Sequence, residues 1–196
     1  HVRKGDHLFN MQYALQINDR KEFDVRRGSL AEVPALGYKL YTHTIDLEWE
    51  KTRENSYTRS MGINGMLQDN NKIDGTQNIP FIPNFVSYSA GLFYIEKYSS
   101  NKWDWEMGAR YDFKFYDIVG FDFRNELYRS KLNFNNASAT FAGTLKINAN
   151  SSLTTSLGSS WRPPSVSELY SFGTHQSAAA IEYGLMLDKI TNEVLD

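Results

Sequence analysis

The chain has 196 residues, a formal net charge of −2 and no cysteine. The lack of cysteine excludes disulfide frameworks and thiolate metal sites, and the lack of a long basic run argues against a nucleic-acid-binding surface. Mean hydropathy is −0.52, and no stretch approaches the roughly 20 apolar residues that a membrane-spanning helix needs. These values remain compatible with a transmembrane β-barrel, because only every second residue of a barrel strand contacts lipid.

Apolar side chains recur at every second position through most of the chain, which predicts strands with one apolar and one polar face. In chain order the segments are residues 9–17, 41–49, 57–67, 86–94, 103–115, 137–147 and a weaker 153–161, and a last strand begins near Ala180. The run from Trp103 to Phe115 alternates without a break. It is roughly twice as long as an ordinary strand of about 5–6 residues, and it suffices for a tilted strand to cross a bilayer.

The connections between these segments alternate in length. Short ones fall at residues 52–56, 98–101 and 148–151, and long ones, rich in Gly, Pro, Asn and charge, at residues 20–38, 68–84, 116–132 and 162–178. Outer-membrane β-barrels have short periplasmic turns and long extracellular loops, so the alternation favours the wall of such a barrel.

Amphipathic rings gather at the short-turn end, where we expect them to form an interfacial girdle. They are Trp49, Tyr57, Trp103 and Trp105. The alternative is that they are ordinary core aromatics of a β-sandwich. Two polar residues stand in phase with the apolar positions. Arg59 is close to a short turn and is able to snorkel toward water, whereas His43 lies nearer the loop end of its strand, where a neutral imidazole is tolerated.

We therefore predict an all-β fold: an antiparallel transmembrane β-barrel fragment of about eight long strands, joined by alternating short turns and long loops. The polar faces suit a broad lumen better than the filled interior of a closed eight-stranded barrel. Residues 1–196 are accordingly expected to form one partial barrel domain of a longer precursor. The alternatives are a soluble β-sandwich or ligand-binding barrel that recognises carbohydrate or another small molecule, and an adhesive or structural outer-membrane barrel without transport.

The segment 161–175 carries the most specific pattern. Pro163 and Pro164 end a strand, since neither nitrogen donates to a ladder. Ser165 and Glu168 have the spacing of a capping box and predict a short helical turn within the long loop. Arg162 is placed to form a charge-assisted hydrogen bond with Glu168.

This segment resembles part of the β-barrel of TonB-dependent outer-membrane receptors, in which a strand commonly runs into Arg, Pro, then Glu-Leu, Gly and His. Residues 108–112, Gly-Ala-Arg-Tyr-Asp, are similar to the recurrent Gly-Leu-Arg-Tyr-Asp strand of these barrels. Residues 12–16, together with 22–28, are similar to another part of them. The resemblance covers most of the chain.

The resemblance implies a 22-stranded barrel in the outer membrane of a Gram-negative bacterium, plugged by an N-terminal globular domain. Such receptors import scarce nutrients, for example iron–siderophore complexes, haem, cobalamin, metal ions or oligosaccharides, with energy supplied through the TonB complex. We expect the plug domain and the closing strand to lie outside this chain. The implied partners are outer-membrane lipid, the rest of the barrel and plug, the TonB complex through the missing N-terminal part, and a small cargo, but not nucleic acid.

We expect neither a cofactor nor enzymatic activity, because the sequence has no nucleophile elbow, phosphate loop or zinc-binding helix. The candidate ligand contacts in the long loops are Arg162, Glu168, Tyr170, Phe172, His175 and Tyr128. His175 either contacts a haem or metal cargo or makes a structural hydrogen bond, since a metal site needs three or four ligands. Arg162 and Glu168 are interpreted first as loop architecture.

Two larger groups of side chains have alternative interpretations. The loop aromatics either form a binding vestibule or pack between neighbouring loops; they are Tyr116, Phe121, Phe123, Tyr128, Tyr170 and Phe172. The polar-face charges either contact the plug or are simply solvated; they are Asp46, Glu48, Glu106, Arg110 and Asp112. No set of metal ligands is predicted.

Overall fold

The computed structural model describes residues 1–23, 32–53, 56–78, 81–122, 126–175, 180–187 and 194–195, with the backbone only at residues 174–175 and 180–181. One antiparallel sheet contains eight strands in chain order: β1 (Val2–Lys4), β2 (His7–Glu22), β3 (Leu36–Arg53), β4 (Tyr57–Lys72), β5 (Asn84–Ser99), β6 (Trp103–Phe121), β7 (Leu127–Asn148) and β8 (Ser151–Gly158). Helix α1 (Val166–Tyr170) and a separate hairpin of β9 (Phe172–His175) and β10 (Ala180–Tyr183) follow. The predicted all-β antiparallel fold is confirmed.

The eighth strand of the sheet is not the predicted one. The segment near Ala180 forms β10, which pairs with β9 outside the large sheet. The additional strand is β1, which turns back onto β2 through Gly5 at φ 58°, a backbone conformation that favours glycine. The predicted strand 153–161 is also too long at its end, because β8 ends at Gly158 and Trp161 lies beyond it.

The strands extend further toward the long loops than alternation predicted. β6 and β7 continue past the apolar positions and leave only residues 122–126 between them. Tyr116 and Tyr128 therefore lie in strands, not in a loop of residues 116–132. Beyond the outward apolar positions the apolar face changes: in β7, Arg129 and Lys131 are outward whereas Leu132 and Phe134 are inward, so a pattern with one apolar face ends before the strand does. Of the described residues, none belongs to a helix long and apolar enough to span a membrane.

Strand pairing gives the sheet two distinct faces. The outward face is defined by the paired row Phe9, Trp49, Met61, Tyr94 and Ala109, and the inward face by the opposite side chains. On β2 alone the outward face exposes five large apolar side chains: Phe9, Met11, Tyr13, Leu15 and Ile17. An exposed apolar surface of this extent indicates contact with a partner that is itself apolar.

The apolar band runs obliquely across the outward face. It is centred on Tyr13 in β2 and close to Phe141 in β7. Five steps between neighbouring strands separate β2 from β7, and Phe141 of β7 lies in the same row of paired residues as His7 of β2. His7 is six positions from Tyr13, so the centre of the band shifts by six residues over these five steps. With a rise of about 3.4 Å per residue and a strand spacing of about 4.8 Å, this drift corresponds to strands inclined by about 40° to the normal of the band. Transmembrane barrels have strand tilts of about 35–45°.

A buried cluster lies on the inward face at the long-loop end. It joins Tyr116 and Ile118 of β6 to Val166, Leu169 and Tyr170 of α1. The hydroxyl of Tyr116 donates to the Pro164 carbonyl at 3.0 Å. The segment that follows β8 is therefore folded over the inward face of β6 and β7, which places its side chains next to those of the strands.

Candidate functional site

Helix α1 begins with the predicted capping box. The Glu168 backbone amide donates to Ser165 Oγ at 3.3 Å, and the Ser165 amide donates to Glu168 Oε2 at 2.7 Å. Arg162 donates to both carboxylate oxygens of Glu168, at 2.9 and 2.7 Å, as predicted. The Arg162 hydrogen bonds, followed by those from Ser165, lower the pKa of Glu168 to about 2.

The end of α1 is held by two other segments. Leu185 and Met186 donate backbone hydrogen bonds to the carbonyls of Glu168 and Leu169, at 2.9 and 2.8 Å. The Phe172 amide donates to the Phe81 carbonyl at 2.9 Å, which links β9 to the connection between β4 and β5. The segment after β8 and the connection between β4 and β5 therefore meet at the long-loop end.

A cavity of about 420 Å³ lies where these connections meet. Its aromatic lining consists of Phe81, Phe121, Tyr128, Tyr170 and Phe172. Its polar lining includes Lys72, Asn78, Asn84 and Asp122. The volume falls within the roughly 300–1,000 Å³ of small-molecule sites, and a largely apolar lining with a few polar groups is typical of them.

Two glycines permit the close packing around the cavity. A Cβ atom at Gly120 would lie 2.6 Å from Tyr128 Oη and 2.8 Å from the Cβ of Pro83. A Cβ atom at Gly173 would lie 2.6 Å from the Cβ of Phe81. Any larger side chain at either position would therefore displace part of the cavity wall.

One positive and one negative side chain line the cavity, Lys72 and Asp122. The ammonium of Lys72 lies 5.9 Å from the centre of the Phe121 ring, within cation–π range. The carboxylate of Asp122 accepts a hydrogen bond from the Glu126 amide at 2.8 Å and so closes the connection between β6 and β7. The Tyr128 ring stacks on Tyr170 with a centroid distance of 5.7 Å. The cavity thus offers aromatic surfaces and an ammonium group to a ligand.

The structure brings together three of the six predicted contact residues, since Tyr128, Tyr170 and Phe172 all line this cavity. Arg162 and Glu168 instead line a separate depression, where they bond to each other. The His175 backbone belongs to β9, and its side chain lies outside the described residues. Ligand contact by these six residues stays a prediction.

The remaining aromatic residues have different surroundings. Tyr116 is 2 % exposed inside the buried cluster, so for this residue the packing alternative holds. Phe121 ends β6 and lines the cavity. Phe123 lies outside the described residues. Within the described ranges, no three side chains of the metal-binding types His, Asp and Glu are grouped closely enough to hold an ion.

Sequence reasoning missed the contribution of the connection between β4 and β5. Phe81, Ile82 and Pro83 form one wall of the cavity, and Lys72 and Asn84 flank it at the ends of the two strands. The available signal was an apolar tripeptide within an otherwise polar connection. It does not reveal which of the other long connections this tripeptide contacts.

The predicted lumen charges share the inward face, in line with their alternation. Arg110 pairs with Asp112 two positions along the same strand, with Nε 2.7 Å from Oδ2. Lys97 lies 3.0 Å from Glu106. Asp46 accepts a hydrogen bond from an asparagine of β4 at 3.2 Å, and Glu48 accepts one from an asparagine of β2 at 3.4 Å. Each charge has a local partner, and contact with a plug stays a prediction.

His43 is accommodated on the outward face by a neighbouring side chain. Its Nδ1 lies 2.8 Å from the hydroxyl oxygen of Tyr13, and the two residues are adjacent on paired strands. A hydrogen bond between them satisfies the Tyr13 hydroxyl and the Nδ1 atom of His43. This pair explains why a histidine is tolerated among apolar neighbours.

Comparison with known proteins connects this architecture to a family. The model of the family described as TonB dependent receptor-like, beta-barrel matches residues 3–192. Searches of curated proteins and of solved structures gave no match. The family consists of outer-membrane receptors involved in transport and is not enzymatic. The match covers nearly the whole chain and agrees with its open antiparallel sheet of long, inclined strands, so the chain belongs to the TonB-dependent receptor-like β-barrel family.

Proposed function

We propose that this chain forms part of the wall of an outer-membrane receptor that imports a small, scarce nutrient complex, with iron–siderophore, haem or metal cargo favoured. Transport is coupled to the inner-membrane proton gradient through the TonB complex. A plug domain and a closing strand outside residues 1–196 complete the receptor. The cavity at the long-loop end of the inward face is the observation that supports this proposal.

The cavity has the position and chemistry expected of a capture site. It lies at the end of the sheet that carries the long connections, beyond the apolar band of the outward face. Aromatic rings provide flat surfaces for the organic part of a cargo, and Lys72 provides a charge that attracts an anionic group. Because α1 is anchored by buried side chains, this part of the wall is already ordered before cargo arrives.

Transport is tested with cells that produce the full-length protein and are supplied separately with haemin, a ferric hydroxamate or a ferric catecholate. We expect uptake of at least one probe to depend on the TonB complex and to stop when the proton gradient is collapsed, while binding to cells persists. Uptake that continues unchanged without the gradient would contradict TonB coupling. Binding without any uptake would instead favour a receptor of another kind.

Cargo capture is tested with a matched pair of substitutions at the end of β6 and the start of β7. Phe121 and Leu127 are paired across the two strands, but only Phe121 lines the cavity. Removal of one aromatic contact costs roughly 1 kcal/mol, so Phe121→Ala is expected to weaken binding of the transported probe by about fivefold to tenfold. Leu127→Ala is expected to leave binding unchanged. Equal losses of binding in both variants would contradict the proposal that the cavity contacts the cargo.

A further inference from the structure

A charged group interrupts the outward face close to the short turns. Lys51, Arg59 and Glu96 occupy one row of paired residues across β3, β4 and β5. In the same row, β6 and β7 carry the apolar residues Met107 and Phe141. The charges are therefore confined to one part of the sheet, and two of the three are positive.

Arg59 is fixed by its neighbours through one of its nitrogens. Nε donates to Glu96 Oε1 at 2.8 Å and to Tyr57 Oη at 2.9 Å. The guanidinium carbon lies 4.8 Å from the centre of the Tyr57 ring. Glu96 also accepts a hydrogen bond from Tyr94 at 2.8 Å. Among the described side chains, the hydrogen bonds of Arg59 use only Nε, so its two terminal amino groups remain for an acceptor outside the chain.

Exposure differs between the two partners of this ion pair. The Arg59 side chain is 50 % exposed, whereas the Glu96 side chain is 16 % exposed. Lys51, the neighbour of Arg59 on β3, has no ion-pair partner among the residues that the structure describes. The less exposed Glu96 carboxylate therefore orients the more exposed Arg59 side chain. The positive charges of Arg59 and Lys51 lie side by side on the outward face.

On β3, β4 and β5 this row lies at the boundary of the apolar band. The next row toward the middle of the sheet contains Trp49, Met61 and Tyr94, and the next row toward the short turns contains Tyr57 and Tyr98. Tyrosine and tryptophan concentrate where the hydrocarbon region meets the headgroups. At this depth a membrane offers a phosphate to a basic side chain and acyl chains to the apolar row beside it.

We propose that Lys51 and Arg59 bind the phosphate of a membrane glycerophospholipid on the outward face at the short-turn end. The terminal amino groups of Arg59 bind two phosphate oxygens in the bidentate geometry that guanidinium groups favour, and Lys51 adds a point charge. The acyl chains lie along the apolar side chains of β3 and β4, toward Met61 and Leu47. Glu96 acts as a positioning residue for Arg59.

The test measures retention of lipid by the full-length protein in detergent, with native mass spectrometry as the readout. Phosphatidylglycerol and diacylglycerol with the same acyl chains serve as probes, because only the first carries a phosphate. We expect phosphatidylglycerol alone to be retained, and Lys51→Gln to weaken its binding about fivefold, as one surface charge near a lipid headgroup does. Arg59→Lys keeps the charge but lacks the planar fork, and it is expected to weaken binding about threefold.

Lys97→Gln is the matched control. Lys97 lies at the same end of the sheet on the inward face, where it pairs with Glu106 at 3.0 Å. Its substitution is expected to leave phosphatidylglycerol retention unchanged. Because Lys51 has no ion-pair partner among the described residues, Lys51→Gln is expected to fold normally, and the result then reports on lipid binding alone. Equal retention of the two lipids, wild-type binding by both Lys51→Gln and Arg59→Lys, or an equal loss in Lys97→Gln would overturn the proposal.

Discussion

The two ends of the sheet each carry a cluster that contains aromatic side chains, and the two clusters lie on opposite faces. At the short-turn end the cluster lies on the outward face, where Trp49 donates to His7 at 3.0 Å and Glu96 joins Arg59 and Tyr57. At the long-loop end it lies on the inward face, where α1 buries its apolar side chains against β6 and β7. The same antiparallel pairing runs through both ends.

This contrast indicates that the surroundings, rather than the backbone, decide which face carries such a cluster. Along the apolar band, large outward side chains such as Met11, Leu15 and Ile17 are about half exposed or more, and we expect them to contact lipid. Beyond the band we expect water on both faces, and there the apolar residues are buried by a connection folded over them. Destabilisation of one end should therefore leave the structure of the other end intact. Most of the substitutions below perturb one end and use the other as a reference.

The largest effect is expected from Tyr170→Ala at the long-loop end. Tyr170 is 2 % exposed, and its hydroxyl donates to Ser130 Oγ at 2.7 Å. Truncation of a buried aromatic side chain costs about 3 kcal/mol or more, so α1 should detach from β6 and β7. Hydrogen exchange of the α1 amides is expected to accelerate on the order of 100-fold.

The sheet supplies the internal reference for this experiment. Exchange in β3 and β4 at the short-turn end is expected to stay unchanged in Tyr170→Ala. Tyr183→Ala is the matched control, because Tyr183 is 39 % exposed although it contacts Phe172. Accelerated exchange throughout the sheet would show that the two ends are one cooperative unit.

At the short-turn end, the strongest test compares two adjacent residues of β6. Trp105 belongs to the outward face and lies 5.9 Å from the Tyr98 ring, whereas Glu106 belongs to the inward face. An arginine on the lipid face of a barrel costs up to about 2–4 kcal/mol at the bilayer centre and less toward the interface, so Trp105→Arg should reduce assembly by about 1–3 kcal/mol. Glu106→Arg breaks the exposed ion pair with Lys97 but keeps a charge on the inward face, at a cost of about 1 kcal/mol or less.

Assembly is measured as the fraction of full-length protein that reaches the heat-modifiable, folded form in membranes. Trp105→Arg is expected to lower this fraction well below that of Glu106→Arg. Equal yields for the two variants would contradict the assignment of the outward face to lipid, and with it the contrast between the two ends.

The sequence predicted the sheet well because strands with one lipid-facing side carry apolar residues at every second position. Alternation located the first seven predicted strands, and pairing places Trp49, Tyr57 and Trp105 on the same face, as alternation required. Alternation with an apolar outward face stopped being informative beyond the band, because there the outward positions of β7 become polar and the inward ones include Leu132 and Phe134. It also missed β1, whose three residues are too few to show a period.

The candidate site was only half predictable, for a related reason. Local chemistry identified the Ser165–Glu168 cap and the Arg162 ion pair, because their partners are close in sequence. The contact between Tyr170 and Ser130 joins residues forty positions apart, and nothing in either segment specifies it. The cavity depends on such long-range contacts between connections. Composition therefore identified some of its aromatic residues but not which connections form its walls.

A smaller effect is expected from Tyr13→Phe within the apolar band. The hydroxyl of Tyr13 and Nδ1 of His43 share a hydrogen bond of 2.8 Å on the outward face. Removal of the hydroxyl leaves the imidazole without that partner in an apolar environment, at a cost of about 1 kcal/mol. Urea-induced unfolding of the full-length protein in lipid vesicles measures this change.

The double variant Tyr13→Phe/His43→Leu sharpens the result. Replacement of both polar partners by apolar groups is expected to restore stability to near the wild-type value, because no unpaired polar group remains. Stability in the double variant below that of Tyr13→Phe would show that the imidazole contacts water, and would place this part of β2 and β3 outside the membrane.

The smallest effect concerns acid at the long-loop end. The pKa of Glu168 is lowered to about 2 by hydrogen bonds from Arg162 and Ser165. A carboxyl group whose pKa is lower in the folded state stabilises that state above its unfolded pKa of about 4.3, and this contribution is lost as the pH falls toward the folded value. Exchange of the α1 amides, corrected for the intrinsic effect of pH, should therefore accelerate between about pH 4 and pH 2.

Glu168→Gln is the control for this acid response. Its α1 amides should exchange faster than those of the wild type at neutral pH and show no such step, while the short-turn end should not respond in either protein. A step of the same size in Glu168→Gln would assign the acid response to another carboxyl group.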